Sequence, residues 1–203
     1  LDCPSVCMFS TSTSQWSRPG LGLEGSVHSM MWSSPTKLVV AGNMTLNNTA
    51  TYLAVYDTEK TAWANFPSAS SLPGPAHAVT AANRDSSQLW IAGTAGDQST
   101  YLMKYDGDKW SSTPIQFDPN TVISSLQVFS LTSSHDSNDL IDSNQVLMIA
   151  GHVSTPEYGP VSSLLFDGKD HRPYALSSKT GHTTGSIARI FVQKQNFFTS
   201  PGM

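Results

Sequence analysis

Apolar residues in this chain come in short runs of strand length, separated by polar segments that are rich in Gly, Pro, Asn, Asp and Ser. No window sustains apolar residues at the i, i+3, i+4 spacing of an amphipathic helix. Runs of this length between turn-forming residues are typical of β-strands. The pattern therefore predicts an all-β fold.

The runs recur at intervals of 47 to 58 residues, and this repeat is the strongest signal in the sequence. Trp16, Trp63 and Trp110 lie 47 residues apart. A strand that ends in Ala-Gly also returns three times, at 37–42, 88–93 and 146–151. Periods of this length mark folds in which similar units stack on one another.

Each repeat contains further strands around the Ala-Gly strand. Apolar opening strands are predicted at 27–32, 76–81, 123–131 and 187–192. Hairpins with a turn at an Asp are predicted after 52–57, 101–106 and 162–167, and they lead to Trp63, Trp110 and Tyr174. Asp-Gly at two of these turns supplies the positive φ that a tight hairpin needs. Each unit therefore has four strands, and the Gly after Ala is expected where the backbone approaches a neighbour closely.

Four-stranded units that cannot bury both faces alone can do so when they are arranged around an axis. The sequence predicts kelch-like β-propeller blades, each a four-stranded antiparallel sheet, in one repeat-built domain over 1–203. The blade-like units lie at about 20–66, 67–115 and 116–178, with partial units at 1–19 and 179–203. The ring is expected to be incomplete, with the remaining blades in the parent chain or a second copy. A β-solenoid or a compact small propeller is the alternative.

Cys3 and Cys7 are the only cysteines in the chain. A local disulfide is the simplest interpretation. The alternatives are that the two cysteines are free or paired differently, or that they have a zinc or redox role.

The sequons at Asn43 and Asn47 lie in one polar stretch, which we interpret as a glycosylated surface loop. No apolar run is long enough for a signal peptide or a membrane span, so we expect a mature or excised piece of a secretory-pathway protein.

Composition and spacing argue against several classes of function. The net charge of −4 and the charged fraction of 13% leave no basic face for nucleic acid. No two histidines have metal-ligand spacing, so no metal, cofactor or catalytic residue is predicted.

Asp57, Asp106 and Asp167 occupy equivalent turns and are interpreted as turn formers. Trp63 and Trp110 are expected to pack the blades, and Trp32 and Trp90 to lie in the core. Binding is sought first in the loops at 133–144 and 152–160.

Several segments in order along the chain resemble the fungal Rax-type cortical markers of cell polarity and bud-site selection. They include Cys3-Pro4-Ser5-Val6-Cys7, the Trp16 region, 38–45, 101–107, 165–168, Pro173-Tyr174 and 196–198. The resemblance spans nearly the whole chain and corresponds to the membrane-proximal, C-terminal part of the extracellular region of that family. It offers no catalytic residue to carry over.

The resemblance implies a non-catalytic extracellular binding domain of a plasma-membrane glycoprotein that marks bud or division sites. The expected partner is another cortical membrane marker or a cell-wall glycan, and the parent protein is expected to be membrane-anchored. One alternative is a kelch-like enzyme related to galactose oxidase, which needs a copper site of Tyr and His with a Cys cross-linked to Tyr. The other is a purely structural wall or adhesion module.

Overall fold

The fold is known from a computed structural model that describes residues 3–83, 85–130, 145–167, 172–175, 177–178, 181–182 and 185–190. The described residues form β-strands, joined by turns and one short 3₁₀ segment at Ala69–Ser71. No helix among them is long and apolar enough to cross a membrane. The prediction of an all-β fold is confirmed.

Three antiparallel four-stranded sheets form the body of the molecule, and their strands follow one another in chain order. We call them blades 1, 2 and 3. Blade 1 contains β3 (Leu23–Ser34), β4 (Lys37–Leu46), β5 (Thr49–Asp57) and β6 (Ala62–Asn65). Blade 2 contains β7 (Ala76–Ala81), β8 (Leu89–Thr94), β9 (Thr100–Tyr105) and β10 (Trp110–Ser112). Blade 3 contains β11 (Val122–Ser130), β12 (Gln145–Thr155), β13 (Gly159–Asp167) and β14 (Arg172–Ala175).

Two smaller pieces flank the three blades. The hairpin of β1 (Met8–Ser10) and β2 (Gln15–Ser17) precedes blade 1, and β15 (Ser177–Ser178) pairs with β16 (Gly181–His182) after blade 3. The described residues therefore form three four-stranded blades with a two-stranded hairpin on either side of them in the chain. The insertion at 133–144, and residues 191–192 of the strand predicted at 187–192, lie outside the described residues.

The core lies between the blades rather than within one sheet. One buried cluster joins blades 1 and 2 and includes Val39, Leu53 and Ile91. A second joins blades 2 and 3 around Ile149 and Leu164. A third cluster covers the opposite face of blade 1, and its members are Val6, Leu23, Leu38, Val40, Met44, Leu46, Ala54 and Tyr56. Each blade is thus stabilised by the apolar surface that it buries against its neighbours.

The repeated Ala-Gly marks the point where the second strand of each blade touches the first. A Cβ built at Gly42, Gly93 or Gly151 would lie 2.0, 2.1 and 2.0 Å from a backbone carbonyl oxygen of the first strand or of the residue just before it. No side chain fits at that distance, so only glycine allows this approach. The sequence-based interpretation of these glycines as sites of close backbone approach agrees with this geometry.

Two hairpin loops differ from the sequence-based interpretation. The segment 152–160 is mostly strand, because β12 continues to Thr155 and β13 begins at Gly159. Asn43 likewise lies within β4, exposed on the sheet, and only Asn47 lies in a turn. Asn47 and Asn48 have φ of 50° and 66°, which is the geometry of a two-residue hairpin turn. Periodicity alone could not show that the strands continue beyond the Ala-Gly point.

The aromatic residues follow the predicted packing in part. Trp63 lies against Tyr56 and donates a hydrogen bond from Nε1 to Pro19 O at 2.5 Å. This hydrogen bond holds the segment that precedes β3 against β6 of the same blade. Trp90 packs edge-on against Phe166 of the next blade. The prediction that Trp32 lies in the core is wrong, because more than half of its surface is exposed on β3.

Cys3 and Cys7 form a disulfide bond, and no free cysteine is present. Val6, inside this small loop, is buried in the third cluster against blade 1. The bridge therefore holds the start of the chain in a compact turn from which Val6 packs against the sheet. Both thiols are used by each other, so neither is available for a Cys–Tyr cross-link of the kind that the copper-oxidase alternative requires.

Candidate functional site

The first strands of the three blades surround a cavity of about 390 Å³ on the inner side of the molecule. Strand β7 contacts both β3 and β11, and residues 189–190 line the remaining side. The lining consists of Val27, His28, Ser29, Met30, Met31, Val79, Thr80, Ser124, Ser125, Leu126, Gln127, Arg189 and Ile190. We call this cavity the channel. A space ringed by the first strands of the blades is the usual centre of a propeller.

Each first strand carries a bulge at the same register position. The pairing with the second strand shifts at His28, at His77 and at Ser124. A bulge turns one extra residue out of the regular alternation, so that its side chain can point along the sheet edge toward the next blade. The three blades therefore carry a polar side chain at the same register position, and two of these residues, His28 and Ser124, line the channel.

The two histidine bulges lie against each other. Their rings stack with centroids 5.2 Å apart and an interplanar angle of 17°. His28 Nδ1 lies 2.9 Å from Ala76 O, and because a carbonyl can only accept, Nδ1 carries the proton. His77 Nε2 lies 2.9 Å from Thr94 Oγ1. Burial, and then the proximity of His28, lower the pKa of His77 below its usual value.

The lowered pKa of His77 predicts a loss of stability in mild acid. The unfolded chain binds a proton at the usual histidine pKa, whereas folded His77 resists protonation, so the free energy of unfolding should fall as the pH drops below about 6.5. Chemical denaturation between pH 7.5 and 5 measures this dependence. The His77→Gln variant, which keeps a hydrogen-bonding group near Thr94, should show a weaker dependence. An NMR titration in which His77 protonates at or above 6.5 would contradict the prediction.

The carboxylates that the sequence analysis singled out serve the turns. Asp57 Oδ1 accepts hydrogen bonds from Glu59 N at 3.0 Å and Lys60 N at 3.2 Å. Asp106 does the same in blade 2, and these backbone hydrogen bonds lower its pKa. Asp167 ends β13, the corresponding strand of blade 3. Within the described ranges, no three His, Cys, Asp or Glu residues are close enough together to hold a metal ion.

The connections of the blades divide between two faces, because successive turns of an antiparallel sheet lie at opposite ends. One face collects the turns between second and third strands, at 47–48, 95–99 and 156–158, together with the linkers between blades. Hydrogen bonds join these parts, as between Asn47 N and Gly22 O and between Ser154 Oγ and Asp118 Oδ2. We call it the linker face. The other face collects the turns at 35–36, 58–61 and 106–109 and the connection between β7 and β8.

The two loops favoured by sequence as binding sites therefore belong to different faces. The turn at 156–158 lies on the linker face, whereas the strand ends that flank 131–144 lie on the other. The channel residues were missed as a site, although one signal could have found them. Aligning the predicted opening strands 27–32, 76–81 and 123–131 at their first residues places His28, His77 and Ser124 in one column.

Comparison with known proteins gives concordant matches along the chain. A family model described as "Rax2 C-terminal beta propeller domain" matches residues 1–202. Polarized growth protein L1 of Phoma sp. is 37% identical over 204 residues, covering 98% of this chain and 15% of that protein. Bud site selection protein RAX2 of Saccharomyces cerevisiae is 21% identical over 200 residues, covering 95% of this chain and 15% of that protein. The chain thus spans about 15% of the length of these relatives.

Proposed function

The chain belongs to the Rax2 C-terminal beta propeller domain family, and from this membership we propose that it is a non-catalytic binding domain of a polarity marker. The observation that carries the proposal is similarity along almost the whole chain to a polarized growth protein and a bud site selection protein. Its site of action is the extracellular side of the plasma membrane, at sites of growth or division. The disulfide supports an oxidising, secretory location.

The linker face is the binding face in this proposal. The tips of its turns are exposed, and the turns and linkers are held in place by hydrogen bonds, which is the usual arrangement of binding loops. Asn43 and Asn47 are both exposed in blade 1. Glycans on these residues would cover the part of the face near blade 1. The part above blades 2 and 3 is then left for another cortical membrane protein or a wall glycan.

Binding of the purified, glycosylated 203-residue chain to wall polysaccharides and to ectodomains of cortical membrane proteins tests the proposal. We expect saturable binding that weakens at least about tenfold in Glu157→Arg, which alters an exposed tip on the linker face. Glu59→Arg makes the same change at an exposed tip on the opposite face and should bind as the parent does. Mass spectrometry before and after enzymatic deglycosylation determines the occupancy of Asn43 and Asn47.

Two results would contradict the proposal. The absence of saturable binding to every glycan and ectodomain would favour a purely structural wall module. A stoichiometric transition metal in the purified sample, together with turnover of a sugar, would favour an enzyme.

A further inference from the structure

The junction of blades 2 and 3 contains a cavity of about 180 Å³ on the side away from the channel. It is lined by Trp90, Lys104 and Phe166 and by residues 111–114. We infer that this cavity, which we call the rim pocket, binds one anionic sugar ring, a sugar that carries a carboxylate or a phosphate. Its lining lies mainly on strands rather than on the turns of the linker face, so the inference goes beyond the function proposed above.

The rim pocket exists because the repeat is broken at this junction. In each blade, one row of paired residues faces the next blade, starting two residues before the Gly of Ala-Gly minus one, that is, at the second residue before Ala. The rows are Val39, Val55 and Ala64 in blade 1, and Trp90, Lys104 and Ser111 in blade 2. An aliphatic row in blade 1 is thus replaced in blade 2 by an aromatic, a cationic and a hydroxyl side chain.

An aromatic ring that fills the junction of blades 1 and 2 is also replaced. Phe66 and Thr113 are equivalent, because the backbone N–H of each donates a 3.1 Å hydrogen bond to the leucine carbonyl opposite the repeated Ala. The Phe66 ring packs against Tyr105 and Trp110 of blade 2, with centroids 5.1 and 6.1 Å apart. Thr113 carries no ring, and it lines the rim pocket. A cavity of about 150 Å³ accepts one six-membered ring, so the rim pocket has room for one.

Two aromatic side chains form the apolar part of the rim pocket. Trp90 and Phe166 meet edge to face, with ring centroids 5.9 Å apart. Phe166 is buried, whereas Trp90 is only half-buried. The faces of aromatic rings are electron-rich and attract the slightly positive C–H groups of a sugar ring. The pocket therefore offers a wall against which a sugar can pack.

Three hydroxyl side chains form the polar part of the rim pocket, at Ser111, Ser112 and Thr113. Ser111 Oγ and Thr113 Oγ1 each donate a hydrogen bond to a carbonyl of β9, at 3.3 and 3.2 Å. A hydroxyl that donates to the main chain keeps its lone pairs for accepting. These fixed acceptors match the O–H donors of a sugar, so a ring with several hydroxyl groups is favoured over an apolar ring.

Lys104 determines the charge of the ligand. Its Nζ lies 5.7 Å from the centre of the Trp90 ring, and within the described part of the chain it makes no ion pair with a carboxylate. Arg189 in the channel differs, because its Nη2 donates a hydrogen bond to His28 O on β3 at 3.2 Å. A half-buried ammonium group without a counter-ion gains from an anionic ligand beside it. The rim pocket therefore selects an anionic sugar over a neutral one.

NMR titration of the full 203-residue chain with glucose, glucuronate and glucose 6-phosphate tests the inference, because these probes share one ring and differ in charge. The indole N–H of Trp90 and the amides of residues 111–113 report on the rim pocket. We expect saturable shifts with at least one of the two anions, at an affinity at least about tenfold higher than that for glucose. Comparison of the two anions shows whether the carboxylate or the phosphate is preferred.

Three variants place the binding in the rim pocket. Lys104→Gln removes the charge, keeps most of the side-chain length and should weaken binding of the anionic sugar at least about tenfold. Lys60→Gln makes the same change on an exposed turn of blade 1 and should bind as the parent does. Thr113→Phe introduces the ring that Phe66 supplies at the other junction and should abolish binding by filling the cavity.

Several outcomes would overturn the inference. They are the absence of saturable shifts with both anions, equal affinity for glucose and its anionic forms, and equal weakening by Lys104→Gln and Lys60→Gln. Saturable shifts with an oligoglutamate peptide, but with none of the sugars, would assign the pocket to an acidic protein segment instead. The reporting groups lie on blade 2 from β8 to just beyond β10, so the result does not depend on whether the linker face binds a partner.

Discussion

Replacing Gly42 with Ala should lower the free energy of unfolding by about 3 kcal/mol. The added Cβ would lie 2.0 Å from Ser26 O and 3.0 Å from the Cα of Val27, and both are backbone atoms of paired strands. Neither atom can turn aside as a flexible side chain could, so β3 and β4 must separate. With a denaturant slope of about 2 kcal/mol per molar urea, the unfolding midpoint should fall by about 1.5 M.

Gly96→Ala is the matched control for this experiment. No atom lies within 4 Å of a Cβ built at Gly96, and its φ is not in the left-handed region. We expect a change within about 0.5 kcal/mol in either direction. Equal effects of the two substitutions would show that the close approach at Ala-Gly does not constrain the blade.

Ile149→Ala should cost about 3 to 4 kcal/mol, because it opens a cavity at the junction of blades 2 and 3. Ile149 is fully buried, pairs with Leu126 and Leu164, and packs in one cluster with Ala92 of the neighbouring blade. The surrounding strands are fixed by hydrogen bonds on both sides, so they cannot move in to fill the space. Urea denaturation followed by tryptophan fluorescence measures the loss.

Two further variants make this second experiment interpretable. Ile149→Val removes one methyl group and should cost about 1 kcal/mol, which gives a graded series at one site. Leu21→Ala removes apolar atoms from a side chain that is 79% exposed and should change stability by less than about 0.5 kcal/mol. A cost for Ile149→Ala no larger than that of Leu21→Ala would mean that the blades do not depend on each other for stability.

The sequence was sufficient to predict the blades because two local signals repeat with them. Ala-Gly marks the contact of the first two strands, and the Asp turn marks the hairpin of the last two, so each unit shows its own limits. Strand ends were less predictable. Residues 43–46 continue β4 although they look like a polar loop, because hydrogen bonding to β3 and β5, which lie elsewhere in the chain, extends the strand.

The channel was harder to predict than the blades for a related reason. His28 and His77 are 49 residues apart, and only the stacking of two blades brings their rings together. Trp32 looks like a core residue by its place in an apolar strand, but its burial depends on what covers β3 from the adjoining blade. Register within a sheet can be inferred from a repeat, whereas the neighbours of a sheet depend on how the ring is completed.

The contact between Arg189 and His28 has a consequence for the rate of folding. It joins residues that are 161 positions apart, whereas the hairpins within each blade join close neighbours in the chain. Closing a loop of this length costs more chain entropy than closing a hairpin, so the blades form first and the contact between Arg189 and His28 forms late. Substitutions at this junction should then speed unfolding and leave the folding rate almost unchanged. The contact between Arg189 and His28 therefore lengthens the lifetime of the folded domain without changing how fast the domain forms.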